Sequence, residues 1–150
     1  TPPKISLFAM EKQVPEGGES TLLPLARLIE LLEERAPNLL TDLSENIFEI
    51  VKGDEVKGNI TPIIDLQKIE INWNYYRVQK SSKKLCKIIE NFYSFLKNLE
   101  AKEEVYVTKF HTGDLYVFND LKYLHARKAF KAKVKGDRLL SHSIWHINRK

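Results

Sequence analysis

Gly113-Asp-Leu-Tyr-Val-Phe-Asn-Asp-Leu-Lys-Tyr-Leu-His125-Ala-Arg127-Lys-Ala-Phe130, with Gly136-Asp137-Arg138 shortly after it, is the stretch on which the fold turns. Leu115 and Val117 recur with period two after the turn Thr112-Gly113-Asp114, which predicts a strand. A strand then ends at His125, and a second strand brings Arg138 thirteen residues later. On two adjacent antiparallel strands both side chains can face one cavity, the imidazole as a neutral metal ligand and the guanidinium as a two-pronged carboxylate clamp. Spacing alone leaves the plainer alternative open, because a lone His and a lone Arg are more often ordinary structural residues.

Working outward, Leu139 to Ile147 closes the chain as another strand, and Val105 with Val107 predicts one before the turn. Upstream of these lies the clearest helix. It starts after Ser81-Ser82 and carries Leu85, Ile88, Ile89, Phe92, Phe95, Leu96 and Leu99 as one apolar stripe, which is a core face. Between residues 46 and 73 the pattern is strand-like: Asn46 to Val51 and Val56 to Ile64 flank Gly53-Asp54, and Lys68 to Trp73 alternates. Pro37 to Leu43 predicts a short helix. Leu22, Leu25, Leu28, Ile29 and Leu32 predict an amphipathic helix to about Arg35, with Pro24 in its first turn and Ser20 and Thr21 offering cap hydroxyls. At the start, Lys4 to Met10 reads as a strand leading to the turn Pro15-Glu-Gly-Gly18. There is no βαβ alternation and no Gly-x-Gly-x-x-Gly, so a doubly wound nucleotide fold is excluded.

Composition narrows the classes. The 150 residues carry 24 Lys+Arg and 20 Asp+Glu, a net charge of +4, with 43% hydrophobic and 29% charged residues. That balance supports a core, fits a soluble chain and excludes wholesale disorder. The most apolar run, Leu22 to Leu32, is interrupted by Pro24, Arg27 and Glu30, so no membrane span is predicted. Cys86 is the single cysteine, which excludes an intramolecular disulfide framework and a Cys-based zinc site and points to the cytoplasm. The positive excess is local, in residues 121 to 138, where Lys131, Lys133 and Lys135 alternate as if on the solvated side of a strand. No nucleic-acid-binding module accompanies it, so no nucleic-acid partner is expected.

The segment around His125 resembles the C-terminal motif of the taurine dioxygenase and clavaminate synthase-like superfamily of Fe(II)/2-oxoglutarate oxygenases. There the run is Gly-Asp-Leu, an apolar strand, Asp-Asn, then Leu-His-Gly-Arg and an aromatic, with an arginine further on. Pro2-Pro3 through Val14-Pro15-Glu-Gly-Gly-Glu-Ser20 is similar to a second block of that family, about 100 residues earlier and in the same order. The resemblance implies an α+β chain with a mainly β core, a distorted double-stranded β-helix (jelly-roll) with flanking helices, incomplete here. It implies Fe(II) as cofactor, 2-oxoglutarate and O2 as cosubstrates, and a reaction that couples decarboxylation of 2-oxoglutarate to hydroxylation or desaturation of a small molecule such as an amino-acid derivative.

Carried onto this chain, the resemblance makes His125 the third iron ligand and Arg138 the partner of the far carboxylate of 2-oxoglutarate. Ser20, or less directly Thr21, would hydrogen-bond that carboxylate. A cap role for Ser20 is compatible with this, because an anion favours a helix N-terminus. Arg127 stands two residues past His125 and is read either as a cosubstrate or substrate contact or as a structural ion pair. Trp73 and Tyr75 are read either as substrate-pocket walls or as core aromatics. Three departures stand out. No His precedes His111, so the family's His-x-Asp/Glu is absent, and the expectation is a chain, 1–150, that is the C-terminal portion of one oxygenase domain and inactive alone. Asn119-Asp120 reverses the usual Asp-Asn, and Ala126 replaces Gly. His142 stands where many members carry a second arginine, which disfavours a sulfonate-like substrate. A non-catalytic jelly-roll binding module that uses the basic Lys122 to Arg138 surface is the alternative.

Overall fold

The computed structural model describes residues 4–51 and 57–146. Along the chain run β1 (Lys4–Lys12), β2 (Ser20–Pro24), α1 (Leu25–Arg35), α2 (Pro37–Glu45), β3 (Phe48–Ile50), β4 (Asn59–Thr61), β5 (Ile64–Asp65) and β6 (Glu70–Ile71). Then follow α3 (Lys83–Ala101), β7 (Tyr106–Thr108), β8 (Leu115–Asn119), β9 (Tyr123–Arg127) and β10 (Leu139–His146). The chain divides into two compact units, Thr1–Leu23 with Val105–Lys150, and Pro24–Glu104. Among the described residues no helix is long and apolar enough to cross a membrane.

The first unit is β-rich. Its β1 is the middle strand of a three-stranded sheet ordered β10-β1-β8, antiparallel on both sides. The period-two pattern of β1 turns Ser6, Phe8 and Met10 to the buried side. The register places Phe8 opposite both Tyr116 and His142, and a bulge between Met10 and Lys12 ends the ladder. The second sheet is ordered β7-β2-β9. Its β2 occupies residues assigned from sequence to a helical start. Pro24 explains the difference: it sits at the N-cap with ψ 137°, and the residue before a proline is driven to extended backbone. Ser20, Thr21 and Leu22 therefore pair with Thr108, Val107 and Tyr106, and Ser20 caps no helix.

In the second unit three helices supply the core with short strands. Leu25, Leu28, Leu31 and Leu32 of α1, Leu40 and Leu43 of α2, and Ile88, Ile89, Phe92 and Leu99 of α3 are buried at helical spacing. Pro37 starts α2 at its first turn, where its missing N–H costs nothing. Ser82 caps α3, accepting from the Leu85 N–H at 3.2 Å. Phe48, Ile63 and Ile64 are fully buried with them. The strand-like reading of 46–73 resolves into two two-stranded sheets, β3-β4 and β5-β6, while residues 52–56, with Gly53-Asp54 and Val56, lie outside the described residues.

Two local readings change. Lys131, Lys133 and Lys135 are not on a strand: the segment bends, with the Asp137 carboxylate accepting from the N–H groups of Lys133 and Val134 at 2.8 and 2.9 Å. Gly136 takes a φ of +87° in this bend. His125 lies mid-strand in β9 and Arg138 just ahead of β10, so they come from different sheets instead of neighbouring strands.

Candidate active site

The buried side of the first sheet is aromatic. Phe8 stacks on Tyr116 and His142, with centroids at 4.9 and 4.1 Å. From the second sheet, the His125 ring meets Phe8 at 5.5 Å and Phe118 at 4.9 Å. Its Nε2 lies 3.2 Å from Asp120 Oδ1, and the side chain is 39% exposed, which leaves it reachable. Burial pushes the Asp120 carboxyl up, yet its net direction is down, because the His125 hydrogen bond and charge, the Ser6 hydroxyl and the His142 charge together favour the anion. Ser6 is fully buried, and its Oγ lies 3.3 Å from His142 Nε2.

A second cluster in the same unit gathers the arginines. Arg127 and Arg138 lie over the Phe130 ring, at 4.4 and 5.7 Å from its centroid. Arg138 donates from Nε to Gln13 Oε1 at 3.2 Å, and Gln13 Nε2 donates to the Phe110 carbonyl at 2.9 Å, which fixes the amide. Among the described residues neither arginine pairs with a carboxylate. Burial and then the Arg127 charge hold the Arg138 pKa below its ordinary value. Ser20 is buried, and the Tyr116 phenol is pushed up by burial against the opposing effects of Ser20 and the Arg138 charge. Thr21, the next residue on β2, is also buried and points to the opposite face.

The glycine pair lets this cluster form. Gly17 has φ +73°, and a Cβ there would meet the Ala129 oxygen at 2.5 Å and Phe130 Cα at 2.9 Å. Gly18, at φ +72°, would place a Cβ 3.3 Å from Arg138 Nε, and its own N–H donates to the Ala129 carbonyl at 3.1 Å. Backbone approach at these two positions brings the turn ahead of Ser20 against Phe130 and Arg138.

The structure thus brings His125, Arg127, Arg138 and Ser20 into one unit. Trp73 and Tyr75 belong to the Pro24–Glu104 unit. There Trp73 packs edge-on against Phe92 at 4.7 Å, and Tyr75 stacks on Tyr93 at 4.1 Å while donating to Glu90 at 3.0 Å. Sequence reading missed Ser6, Gln13 and Tyr116, and noted Asp120 only for its reversed order with Asn119. Phe130 was visible as the motif's aromatic, whereas Gln13 carries no signal along the chain.

For a metal, no three His, Cys, Asp or Glu side chains converge among the described residues. The donor chemistry of His125 fits one position of an iron site. The arginine pair and buried hydroxyl fit a dicarboxylate end.

Comparison with known proteins agrees with this geometry. The family described as taurine catabolism dioxygenase TauD, TfdA matches residues 1–143. Among solved structures, asparagine oxygenase in complex with Fe(II), 2S,3S-3-hydroxyasparagine and succinate superposes with a TM-score of 0.74 at 11% identity, over 93% of this chain and 44% of that one. A second asparagine oxygenase structure gives 0.73 at 9% identity, over 97% and 44%. The non-heme iron oxygenase OrfP in complex with Fe and alpha-ketoglutaric acid gives 0.61 at 12%, over 97% and 45%. The chain therefore spans less than half the length of the structures it resembles, and shares with them a mixed, mostly β fold.

Proposed function

We propose, from the premise that this chain belongs to the TauD, TfdA family of dioxygenases, that it forms the cosubstrate-clamping part of an Fe(II)/2-oxoglutarate-dependent oxygenase. The observation that carries this reading is the Arg127 and Arg138 pair, set on Phe130 next to the Gly17-Gly18 turn with no carboxylate partner among the described residues. Two like charges held together this way, one of them half-buried, are compensated when an anion arrives. The two three-stranded sheets facing through Phe8, Phe118 and His125 support their assignment to a double-stranded β-helix.

Iron bound at such a site supplies O2 activation coupled to the decarboxylation of 2-oxoglutarate to succinate. The residues of this chain do the holding. His125 offers one ring nitrogen as a ligand, and the other two ligands come from the remaining part of the domain, in the family's His-x-Asp/Glu. Arg138 grips the far carboxylate of 2-oxoglutarate with its planar fork, pre-aimed by Gln13. The buried Ser20 hydroxyl donates to the same carboxylate. Phe130 shields one face of both guanidinium groups from water and strengthens their pull on the anion. The substrate is a small molecule of the amino-acid class. The 3-hydroxyasparagine bound by the asparagine oxygenase neighbour supports that assignment.

The test is succinate formation with O2 consumption by the protein carrying its complete ligand set, with Fe(II) and 2-oxoglutarate supplied. We expect His125→Ala to abolish turnover and Arg138→Ala to weaken 2-oxoglutarate binding by about 2–4 kcal/mol, the cost of removing one side of a hydrogen-bonded charge pair. Unchanged turnover in His125→Ala sinks the ligand assignment. Failure of the unaltered protein to take up iron favours the binding module that uses the basic surface.

A further inference from the structure

Gln13 stands just past β1, and its amide is tied at both ends. Nε2 donates to the Phe110 carbonyl at 2.9 Å, while Oε1 accepts from the Val14 N–H at 3.1 Å and from Arg138 Nε at 3.2 Å. Its backbone N–H donates to Thr112 Oγ1 at 3.2 Å, so main chain and side chain anchor the residue to the same 110–112 segment. Lys109 adds to this seam by donating from Nζ to the Pro15 carbonyl. The segment is itself held, because the Phe110 ring stacks on Tyr116 of β8 at 3.9 Å.

This wiring decides which edge of the Arg138 guanidinium is open. The N–H donors of an arginine form one rigid planar fork, with Nε on its side and Nη1 and Nη2 across its end. Gln13 takes the Nε donor, and among the described residues the Nη groups make no hydrogen bond. Gly18 lies against that contact: a Cβ there would come within 3.3 Å of both Arg138 Nε and Gln13 Oε1. The amide is neutral. It orients the cation and leaves its charge uncancelled, whereas an acid at the same position would supply the anion internally.

We propose that Gln13 is a positioning residue for Arg138: it holds Nε so that the guanidinium turns its two-pronged Nη edge to the far carboxylate of 2-oxoglutarate, and its neutrality keeps the charge free for that anion. The inference rests on the oxygenase reading of Arg138. A group fixed in advance loses less freedom when its ligand arrives, so removing the amide weakens the clamp without abolishing it.

The experiment compares two ligands by calorimetry in the protein with its complete ligand set and Fe(II), without oxygen. 2-Oxoglutarate has the far carboxylate, and pyruvate has the same keto acid end without it. Gln13→Ala should weaken 2-oxoglutarate binding by about 10-fold, the size of one hydrogen bond to a charged group, and leave pyruvate unchanged. Gln13→Glu should weaken 2-oxoglutarate further, because its carboxylate competes for the guanidinium, again with pyruvate unchanged. In turnover both variants should raise the KM for 2-oxoglutarate and keep kcat at saturation. In NMR of the nitrogen-labelled protein without metal, the Arg138 Nε–H should exchange slowly, an effect that Gln13→Ala loses and Gln13→Glu keeps. Either variant decides the matter where the other does not fold. Unchanged 2-oxoglutarate affinity, or a parallel loss for pyruvate, overturns the proposal and leaves Gln13 as a support of the fold. An unaltered protein that binds no 2-oxoglutarate, or an Arg138→Ala variant that binds it as tightly as the unaltered one, overturns the oxygenase reading of Arg138 instead.

Discussion

The two units of this chain treat positive charge differently. In Pro24–Glu104 the long cations come down onto acids: Arg35 makes two hydrogen bonds of 2.8 Å to Glu104, Lys97 pairs with Glu100, Lys68 with Asp65, and Lys80 with both Glu90 and Tyr75. In the β-rich unit Arg127 and Arg138 rest on an aromatic ring instead, and Arg138 also donates to the Gln13 amide. Exposed ion pairs add little to stability and fix little beyond a surface geometry. Two guanidinium groups sharing one ring without an acid repel each other. The two units thus differ in what their arginines meet: Arg35 meets an acid, whereas Arg127 and Arg138 meet an aromatic ring and Arg138 also meets an amide.

The largest effect is expected where packing dominates. Phe92 is fully buried beneath Trp73, and Phe92→Ala should lower the unfolding free energy by about 3–5 kcal/mol, read from urea denaturation. A loss below about 1 kcal/mol, the ordinary size for a point substitution, would mean that this unit is not organised around its apolar core.

An intermediate effect tests the binding side. Gly17→Ala combines a positive φ with a Cβ placed 2.5 Å from the Ala129 oxygen, so the backbone must shift at the approach to Phe130. We expect a cost of about 1–3 kcal/mol in stability, typical of a strained backbone position. Weaker 2-oxoglutarate binding, measured by calorimetry, should accompany it, because Gly18 and the arginine platform move together. A variant that loses stability and keeps its full affinity would break the link between the glycine pair and the clamp.

The smallest effect belongs to the ion pairs. Hydrogen bonding to Arg35 is the main cause that holds the Glu104 carboxyl below its ordinary value of 4.5, against burial. A depressed acid contributes stability that is present above its unfolded value and disappears as pH falls through the folded one. The slope of stability against pH below about 4.5 should therefore be shallower in Glu104→Gln than in the unaltered chain, by thermal melts across that window. Equal slopes would remove Glu104 as a contributor and sharpen the contrast with the β-rich unit further.

Much of this was legible along the chain, for identifiable reasons. Ile88, Ile89, Phe92 and Leu99 announce α3 because their spacing repeats the helical turn, and Ser82 marks its start because only a short polar side chain can reach back to a free N–H. Gly17 and Gly18 were readable as positive-φ positions, and both are. The strand character of Ser20 to Pro24 was hidden, since Leu22 and Leu25 satisfy a helical period as well as they fit an extended chain. Tertiary pairing with β7 and the restriction imposed by Pro24 decided it. His125 and Arg138 were legible as residues, but their placement on different sheets was not, because strand order is a long-range property.

What this sequence determines by itself is therefore local and compositional: where helices begin, which residues face inward, and a motif whose residue types suit iron and a dicarboxylate. What only the tertiary structure decided is who meets whom. Gln13 reaches Arg138 across 125 positions and Ser6 meets His142 across 136, contacts that no period encodes. They exist because β1 lies between β8 and β10, and a central strand brings together segments that loop closure had kept far apart in the chain.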